Sequence, residues 1–299
     1  MRYLDPKADL TFKKVFGENP ELARSFLNAL LPFEGPEEEI ESIEYLPAEL
    51  VPDTPLRKNS IVDVRCRDAR GRQFIVEMQM VWSPEFQQRV LFNAAKAYVR
   101  QSDKGDDYRL LEPVYSLNLV NEVFEPELQG YYHYYRMVHV EHSEKVIDGL
   151  HLVFVELPKF RPDTFSQKKM QVLWLRYLTE IGAHTTEVPA ELMDNPDICR
   201  AVTAVEEAAY TDAQLLGYDK FWDAISVEKT LYNSGLRKGR AEGMEEGRAE
   251  GREQGRAEGM EQGRREAVVE TARRMKALGL APDVIAGATG LTADDIEKL

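Results

Sequence analysis

A chain of 299 residues with 43% hydrophobic and 30% charged side chains is long enough for one sizeable core and an appendage. Its formal net charge of −14 at pH 7 argues against a broad basic surface, so contact with nucleic acid would need local Lys/Arg clusters or metal-bridged phosphates. Cys66 and Cys199 have neither metal-type nor disulfide-type spacing. Residues 1–17 lack an apolar signal region and no run approaches about 18 apolar residues, so we expect a cytoplasmic protein without membrane contact.

The N-terminal segment predicts two helices. The first follows Asp9, has apolar residues at helical spacing and stops at Gly17. The second opens at Asn19-Pro20 and runs to Leu31. On local grounds Asp9 fits the role of an N-cap better than that of an active-site acid.

Residues 61–67 and 73–80 are two runs rich in β-branched and aromatic residues, and the polar loop between them contains Gly71. Folding one run back on the other predicts a hairpin that pairs position 63 with 77 and position 65 with 75. Strand alternation then brings Asp63, Glu77 and Gln79 to one face. The opposite, apolar face consists of Val62, Val64, Cys66, Phe74, Val76, Met78 and Met80.

Two carboxylates opposite each other on a sheet repel, so Asp63 and Glu77 need either a cation or a well-solvated face. In the first interpretation they bind a divalent metal, because Mg²⁺ is commonly held by one or two carboxylates plus waters and substrate phosphates. In the second they only decorate the wet side of an antiparallel sheet. Ile61 and Ile75 favour a partly covered face, since they place apolar bulk on the carboxylate side.

The remaining pattern predicts an α/β fold with a mixed sheet. The expected elements are a strand at 40–50, a helix at 83–102, strands at 114–120, 131–140 and 152–157, and helices from 162 to about 236. The aromatic run 131–135 fits a half-buried strand better than a base-stacking surface. A stripe on the helix at 83–102 is open to two interpretations, a solvated face or a contact with a phosphate backbone; it comprises Arg89, Asn93, Lys96 and Arg100.

The segment 235–265 has glycine at every fourth position from Gly235 to Gly263, and Arg-Ala-Glu-Gly occurs in it three times. Each interior glycine costs a helix about 1 kcal/mol. Two structures therefore remain open, a glycine-ridged helix that packs against a partner chain and a flexible charged linker. Residues 266–299 predict short helices with a capping box at Thr292 and Asp295. Their spacing is similar to that of a helix-turn-helix, but the acidic would-be recognition helix favours a small packing module.

The order of these elements, with Asp63 and then Glu77-Met78-Gln79 on a hairpin before a helix, resembles the core of the PD-(D/E)XK nucleases. More closely, the chain resembles the recombination-promoting nuclease and transposase branch of that superfamily. The resemblance covers most of residues 1–236, and the glycine-repeat tail is also typical of the branch. The segments that carry it are 8–17, 75–79 and 156–160, together with Tyr98, Gln101, Gly105 and Tyr108.

The resemblance implies a restriction-endonuclease-like core with a mixed central sheet flanked by helices, and an α-helical C-terminal region. The core takes up 1–160, a helical extension 161–234, the glycine repeat 235–265 and a small helical module 266–299. The implied activity is metal-dependent DNA endonuclease, linked to transposition or recombination. The alternative is a non-catalytic interaction protein with a degenerate nuclease core and a self-associating tail.

The resemblance also implies roles for particular residues. Asp63 and Glu77 would bind Mg²⁺ or Mn²⁺, and Asp9 falls where the first helix of the fold often presents an additional acid. Gln79 stands in place of the usual lysine; its amide can orient the attacking water but cannot supply a positive charge. The partners implied are DNA, with phosphate contacts from Lys13, Lys14 and Arg89, and further copies of this chain bound through the repeat.

Overall fold

The computed structural model describes residues 2–50, 60–102, 107–162 and 169–299, so Gly105 and the Pro-rich connection at 51–59 lie outside the described residues. The chain forms two compact units, Met1–Lys229 and Thr230–Leu299. No helix in the described ranges is both long enough and apolar enough to span a bilayer.

Within the described residues, the first unit has eight strands, of which six form one mixed sheet, and this confirms the predicted fold class. The eight strands are β1 (Ile43–Tyr45), β2 (Glu49–Leu50), β3 (Ser60–Ile61), β4 (Val64–Asp68), β5 (Gln73–Gln79), β6 (Val114–Val120), β7 (Tyr132–His139) and β8 (His142–Glu156). The sheet order is β1-β4-β5-β6-β8-β7, with β5, β6 and β8 parallel and the outer pairs antiparallel. β2 and β3 pair separately, so the single strand predicted at 40–50 is wrong: two short strands join different partners.

Helices of the first unit cover both faces of the sheet. The helices of the described residues are α1 (Asp9–Phe12) with a π-helical continuation (Lys13–Gly17), α2 (Pro20–Leu30), α3 (Pro84–Val99), α4 (Lys169–Glu180), α5 (Ala190–Met193), α6 (Pro196–Ala204), α7 (Asp212–Ala277), α8 (Pro282–Thr289) and α9 (Ala293–Glu297). The larger core lies between one sheet face and the N-terminal helices with α4 and α6. At its centre the rings of Phe16, Phe26 and Trp174 lie 4.4–5.4 Å apart between centroids. α3 covers the opposite face through Ala94 and Ala97, which pack beside Ile75.

The hairpin of β4 and β5 has the predicted pairing of Arg65 with Ile75, but its ladder ends at Val64 and Val76, so the predicted strand pairing of position 63 with 77 is not part of it. One detail of its predicted faces is wrong. A break in the strand at Val62, with a bend at Asp63, interrupts the alternation, so Val62 packs with Ile75 on the α3 side rather than with the larger core. Ile61 lies on the carboxylate side, as predicted, and remains 69% exposed there.

The turn of this hairpin is held by a buried ion pair. Asp68 Oδ1 accepts hydrogen bonds from the backbone N–H groups of Arg70 and Arg72, and Asp68 Oδ2 lies 2.7 Å from Arg72 Nε. Gly71 has φ of +90°, a conformation that favours glycine. These contacts set where β5 begins and therefore where Glu77 lies.

In the second unit, the end of α7 packs with α8 and α9. Ala272, Ile285 and Ile296 form its buried cluster. The capping box predicted at Thr292 is confirmed, because its hydroxyl accepts from the Asp295 N–H. Residues 235–265 are helical and belong to α7.

We predict that Asp68→Ala lowers the free energy of unfolding by about 3 kcal/mol, because it leaves the Arg72 guanidinium buried without its partner and removes the acceptor of two turn N–H groups. Chemical denaturation measures the change. Arg67→Ala is the matched control: it breaks the exposed pair with Glu44 and should cost less than about 1 kcal/mol. Equal small effects of the two variants would show that the turn does not depend on the buried pair.

Candidate active site

The predicted carboxylates line a cavity of about 520 Å³ at the carboxyl end of β5. Glu77 and Gln79 come from β5 itself, Asp63 from the bend before β4, and Arg89 and Asn93 from α3. Because alternate residues of β5 face opposite sides of the sheet, Glu77 lies on the same face as Ile75 and beneath α3. The fold therefore places the predicted pair at one site.

Asp63 is partly buried, and its Oδ2 accepts a 2.7 Å hydrogen bond from the Met78 N–H. The bond ties the bend to β5 just beyond the last backbone pair of the hairpin. Burial raises the pKa of Asp63, and the nearby charge of Asp9 raises it further. The Met78 N–H, Lys13 and Arg89 oppose this rise in pKa.

Glu77 is only 6% exposed, which excludes the interpretation of this carboxylate as a group on a solvated face. Its Oε1 accepts a 3.0 Å hydrogen bond from Asn93 Nδ2, and its Oε2 lies 3.8 Å from Arg89 Nη2. Burial is the main cause that raises the pKa of Glu77, and Asp63 adds to it, whereas Asn93 and Arg89 lower it. A buried carboxylate, Glu77, and a partly buried one, Asp63, thus line one cavity with only partial compensation of their charge.

Gln79 is held at both ends of its amide. Its Nε2 donates to the Val81 carbonyl at 2.5 Å, and its Oε1 accepts from Arg89 Nη2 at 2.7 Å. The amide that occupies the place of the expected lysine therefore orients a cation from α3. Arg89 remains about half exposed, and its guanidinium lies over the Phe86 ring at 4.8 Å from the centroid.

Asp9 and Lys13 lie close enough to Asp63 to act on its charge. Asp9 is the first residue of α1 rather than its N-cap, so the predicted capping role is wrong; Ala8 occupies the cap position. Asp9 Oδ1 instead pairs with Lys13 Nζ at 2.7 Å, one helical turn on. Lys14 is not part of this group, because its Nζ donates to the Ala209 carbonyl and lies over the Tyr210 ring.

Asn93 is the site residue whose role the sequence did not reveal. It was visible only as a member of the polar stripe on α3, four residues after Arg89. In the fold it is 1% exposed and donates to Glu77, while its own Oδ1 accepts no hydrogen bond from any residue that the structure describes. Its position within reach of Glu77 depends on how α3 crosses β5, which no local pattern encodes.

The donor set fits a hard divalent cation. In the part of the chain that the structure describes, no group of three or more His, Cys, Asp or Glu side chains is arranged to hold a metal. Mg²⁺, however, keeps several waters and needs only one or two protein carboxylates. Asp63 and Glu77 provide such oxygens, and the burial that raises their pKa values would be offset by a cation between them.

We predict that, in the presence of a chelator, Glu77→Gln unfolds at a higher temperature than wild type at neutral pH. The raised pKa of Glu77 means that its neutral form suits the fold, so wild-type stability is retained below the ordinary value of 4.5 and falls as pH rises through the folded-state pKa. The gain of the variant should therefore grow between about pH 5 and 8 and vanish near pH 4. Glu144→Gln, which removes a largely exposed charge, is the control. A gain that is independent of pH would contradict the assignment.

A model of the PD-(D/E)XK nuclease family transposases matches residues 6–227. No curated protein and no solved structure shows a significant match. The matched span contains the hairpin, α3 and every residue of the cavity described above. The mixed six-stranded sheet with surrounding helices agrees with this family, and the family that the motifs predicted is confirmed. The name of this family indicates nuclease or transposition-related chemistry. Because the match covers well over half of the chain, the chain belongs to the PD-(D/E)XK nuclease family transposases.

Proposed function

We propose that the protein is a metal-dependent DNA endonuclease that hydrolyses phosphodiester bonds, with Asp63 and Glu77 holding Mg²⁺ or Mn²⁺. The observation that carries this proposal is the presence of two carboxylates in one cavity, Glu77 buried and Asp63 partly buried, where burial raises the pKa of both groups. Such an arrangement destabilises the fold unless a cation compensates it. The family match supports the reaction class, and it does not by itself specify the metal.

When bound, the cation would polarise the phosphodiester and lower the pKa of the attacking water. Other groups of the chain hold these two carboxylates in place. Asn93 fixes one oxygen of Glu77, and the Met78 N–H fixes one oxygen of Asp63. These bonds leave each carboxylate one further oxygen for other contacts.

Arg89 supplies the positive charge that Gln79 lacks. Its Nη2 is aligned by the Gln79 amide oxygen, and its exposed half is free to meet a phosphate. An arginine fork suits phosphate geometry. Lys13 lies nearby and is a second candidate for a phosphate contact, and Asp9 holds it in place. We do not propose a phosphate contact for Lys14, because its ammonium packs against the Tyr210 ring.

We predict that supercoiled plasmid is nicked or linearised by wild type with Mg²⁺ or Mn²⁺ and not with a chelator. Glu77→Gln and Asp63→Asn should each lower the cleavage rate by about 100-fold or more, because each removes charge from the site where the reaction is stabilised. Gel electrophoresis of the plasmid forms measures the rate. Glu144→Gln, on the exposed part of β8, should cleave at the wild-type rate.

If neither the wild type nor the variants cleave plasmid with either metal, the result contradicts the nuclease proposal. The non-catalytic interaction protein would then be the better description. One observation in the tail favours that alternative. A Cβ added at any repeat glycine from Gly235 to Gly263 would meet nothing within 4 Å, so no contact within the described chain accounts for these glycines.

We also propose that the glycine repeat mediates self-association. The glycines lie along an i, i+4 row of α7 and are costly to an isolated helix, so close approach of another helix is the physical reason to retain them. Charged side chains form a row on each side of the glycines. The basic row contains Arg240, Arg248, Arg252, Arg256 and Arg264, and the acidic row contains Glu242, Glu246, Glu250, Glu258 and Glu266.

This arrangement of charge favours parallel pairing of two tails. In a parallel pair, one flank of the contact seam meets the opposite flank of the partner, so the acidic row of each helix faces the basic row of the other. In an antiparallel pair, like rows would meet and repel. The glycine seam and its two charged flanks are thus self-complementary.

We predict that a chain ending at Leu236 forms a smaller oligomer than the full chain and still cleaves DNA. Light scattering coupled to size exclusion measures the mass. In the full chain, replacing Gly247 and Gly251 with leucine should raise helicity, because glycine is a poor helix former, yet weaken association by blocking close approach. Association that survives both changes would place the interface outside the repeat.

A further inference from the structure

Two large apolar side chains are exposed at the candidate active site. Phe92 on α3 is 46% exposed and Ile61 on β3 is 69% exposed. Both line the cavity that contains Asp63, Glu77 and Arg89. Exposed apolar groups beside buried carboxylates offer a contact surface to a bound molecule.

The charge of the cavity is poorly suited to grip a DNA duplex. Of the described residues that line it, Arg89 is the one cation, against the carboxylates of Asp63, Glu77 and Glu85. Affinity for duplex DNA comes mainly from Lys/Arg neutralisation of phosphates, and the whole chain has a net charge of −14. Binding at this site therefore needs a contribution besides phosphate contacts.

The half-exposed Phe92 ring, which has Lys96 Nζ 5.6 Å from its centroid, can provide that contribution by stacking on a nucleobase with the remainder of its surface. Phe92 lies three residues after Arg89, so the two side chains are neighbours on one face of α3. A nucleotide could thus place its base against Phe92 and a phosphate near Arg89. Stacking requires an open base face, which a nucleotide inside an intact duplex does not offer.

We propose that Phe92, flanked by Ile61, is a stacking platform for an unpaired base, so that the site binds single-stranded or locally unpaired DNA in preference to intact duplex. This inference rests on the proposed nuclease function and deepens it by naming the substrate class. Because stacking is tolerant of base identity, the preference concerns DNA structure and not sequence.

Binding of a short fluorescent oligonucleotide to the full-length protein tests the proposal. The oligonucleotide is used single-stranded and annealed to its complement, and anisotropy is measured with Ca²⁺ as an oxygen-liganded cation. We expect wild type to bind the single strand more tightly. Phe92→Ala should weaken that binding about 5- to 150-fold and leave duplex binding unchanged. Phe92→Tyr should retain it.

Leu91→Ala is the matched control, because Leu91 is the preceding residue of α3, is 45% exposed and does not line the cavity. It should bind the single strand as wild type does. Equal binding of single strand by wild type and Phe92→Ala, or a wild-type preference for duplex, would overturn the proposal. An equal loss on both forms of DNA would also overturn it. Plasmid cleavage by wild type is measured separately, so failure of the stacking platform and failure of the nuclease assignment give different results.

Discussion

Burial of the Glu77 carboxylate beneath α3 is the constraint on which the site depends. A charged group that is 6% exposed has to be compensated, and among the described residues the compensation comes from the Asn93 hydrogen bond and from Arg89, whose Nη2 lies 3.8 Å away. Asn93 and Arg89 can reach it because they lie four residues apart on the same helix. The compensation is incomplete, as the direction of the pKa shift shows. A site that remains short of positive charge is one suited to a cation.

The helix α3 both packs on the sheet and supplies side chains to the site. α3 connects β5 to the parallel strand β6, so it has to cross the face of the sheet on which Glu77 lies. Its apolar side packs on Ile75 through Ala94 and Ala97, and small residues there bring the helix close to β5. Close approach buries Glu77, and the polar side of the helix supplies Arg89 and Asn93. Fold and site thus follow from one crossover connection.

Gln79 illustrates how a departure from a family pattern is accommodated. An amide in place of lysine removes a positive charge, but its carbonyl oxygen accepts from Arg89 and holds that cation at the cavity. The role of Gln79 can therefore be understood only together with Arg89, which lies ten positions later on α3. Motif comparison alone identified Gln79 as a departure and could not identify its partner.

The periodicity and motifs of the sequence predicted the hairpin and the family of this protein. Alternation along 64–67 and 73–76 was enough for the register of the hairpin, because a shift of one residue would expose Cys66 and Phe74. The sequence also predicted that Asp63 and Glu77 lie together, but the bend at Asp63 rather than strand pairing places them at one cavity. The motifs were enough for the family. The tertiary structure decided what covers the carboxylates, the bend that returns Val62 to the α3 side, and the place of Asn93 in the site. Those features depend on how separate elements cross in space, and a pattern along one strand or helix carries no information about that crossing.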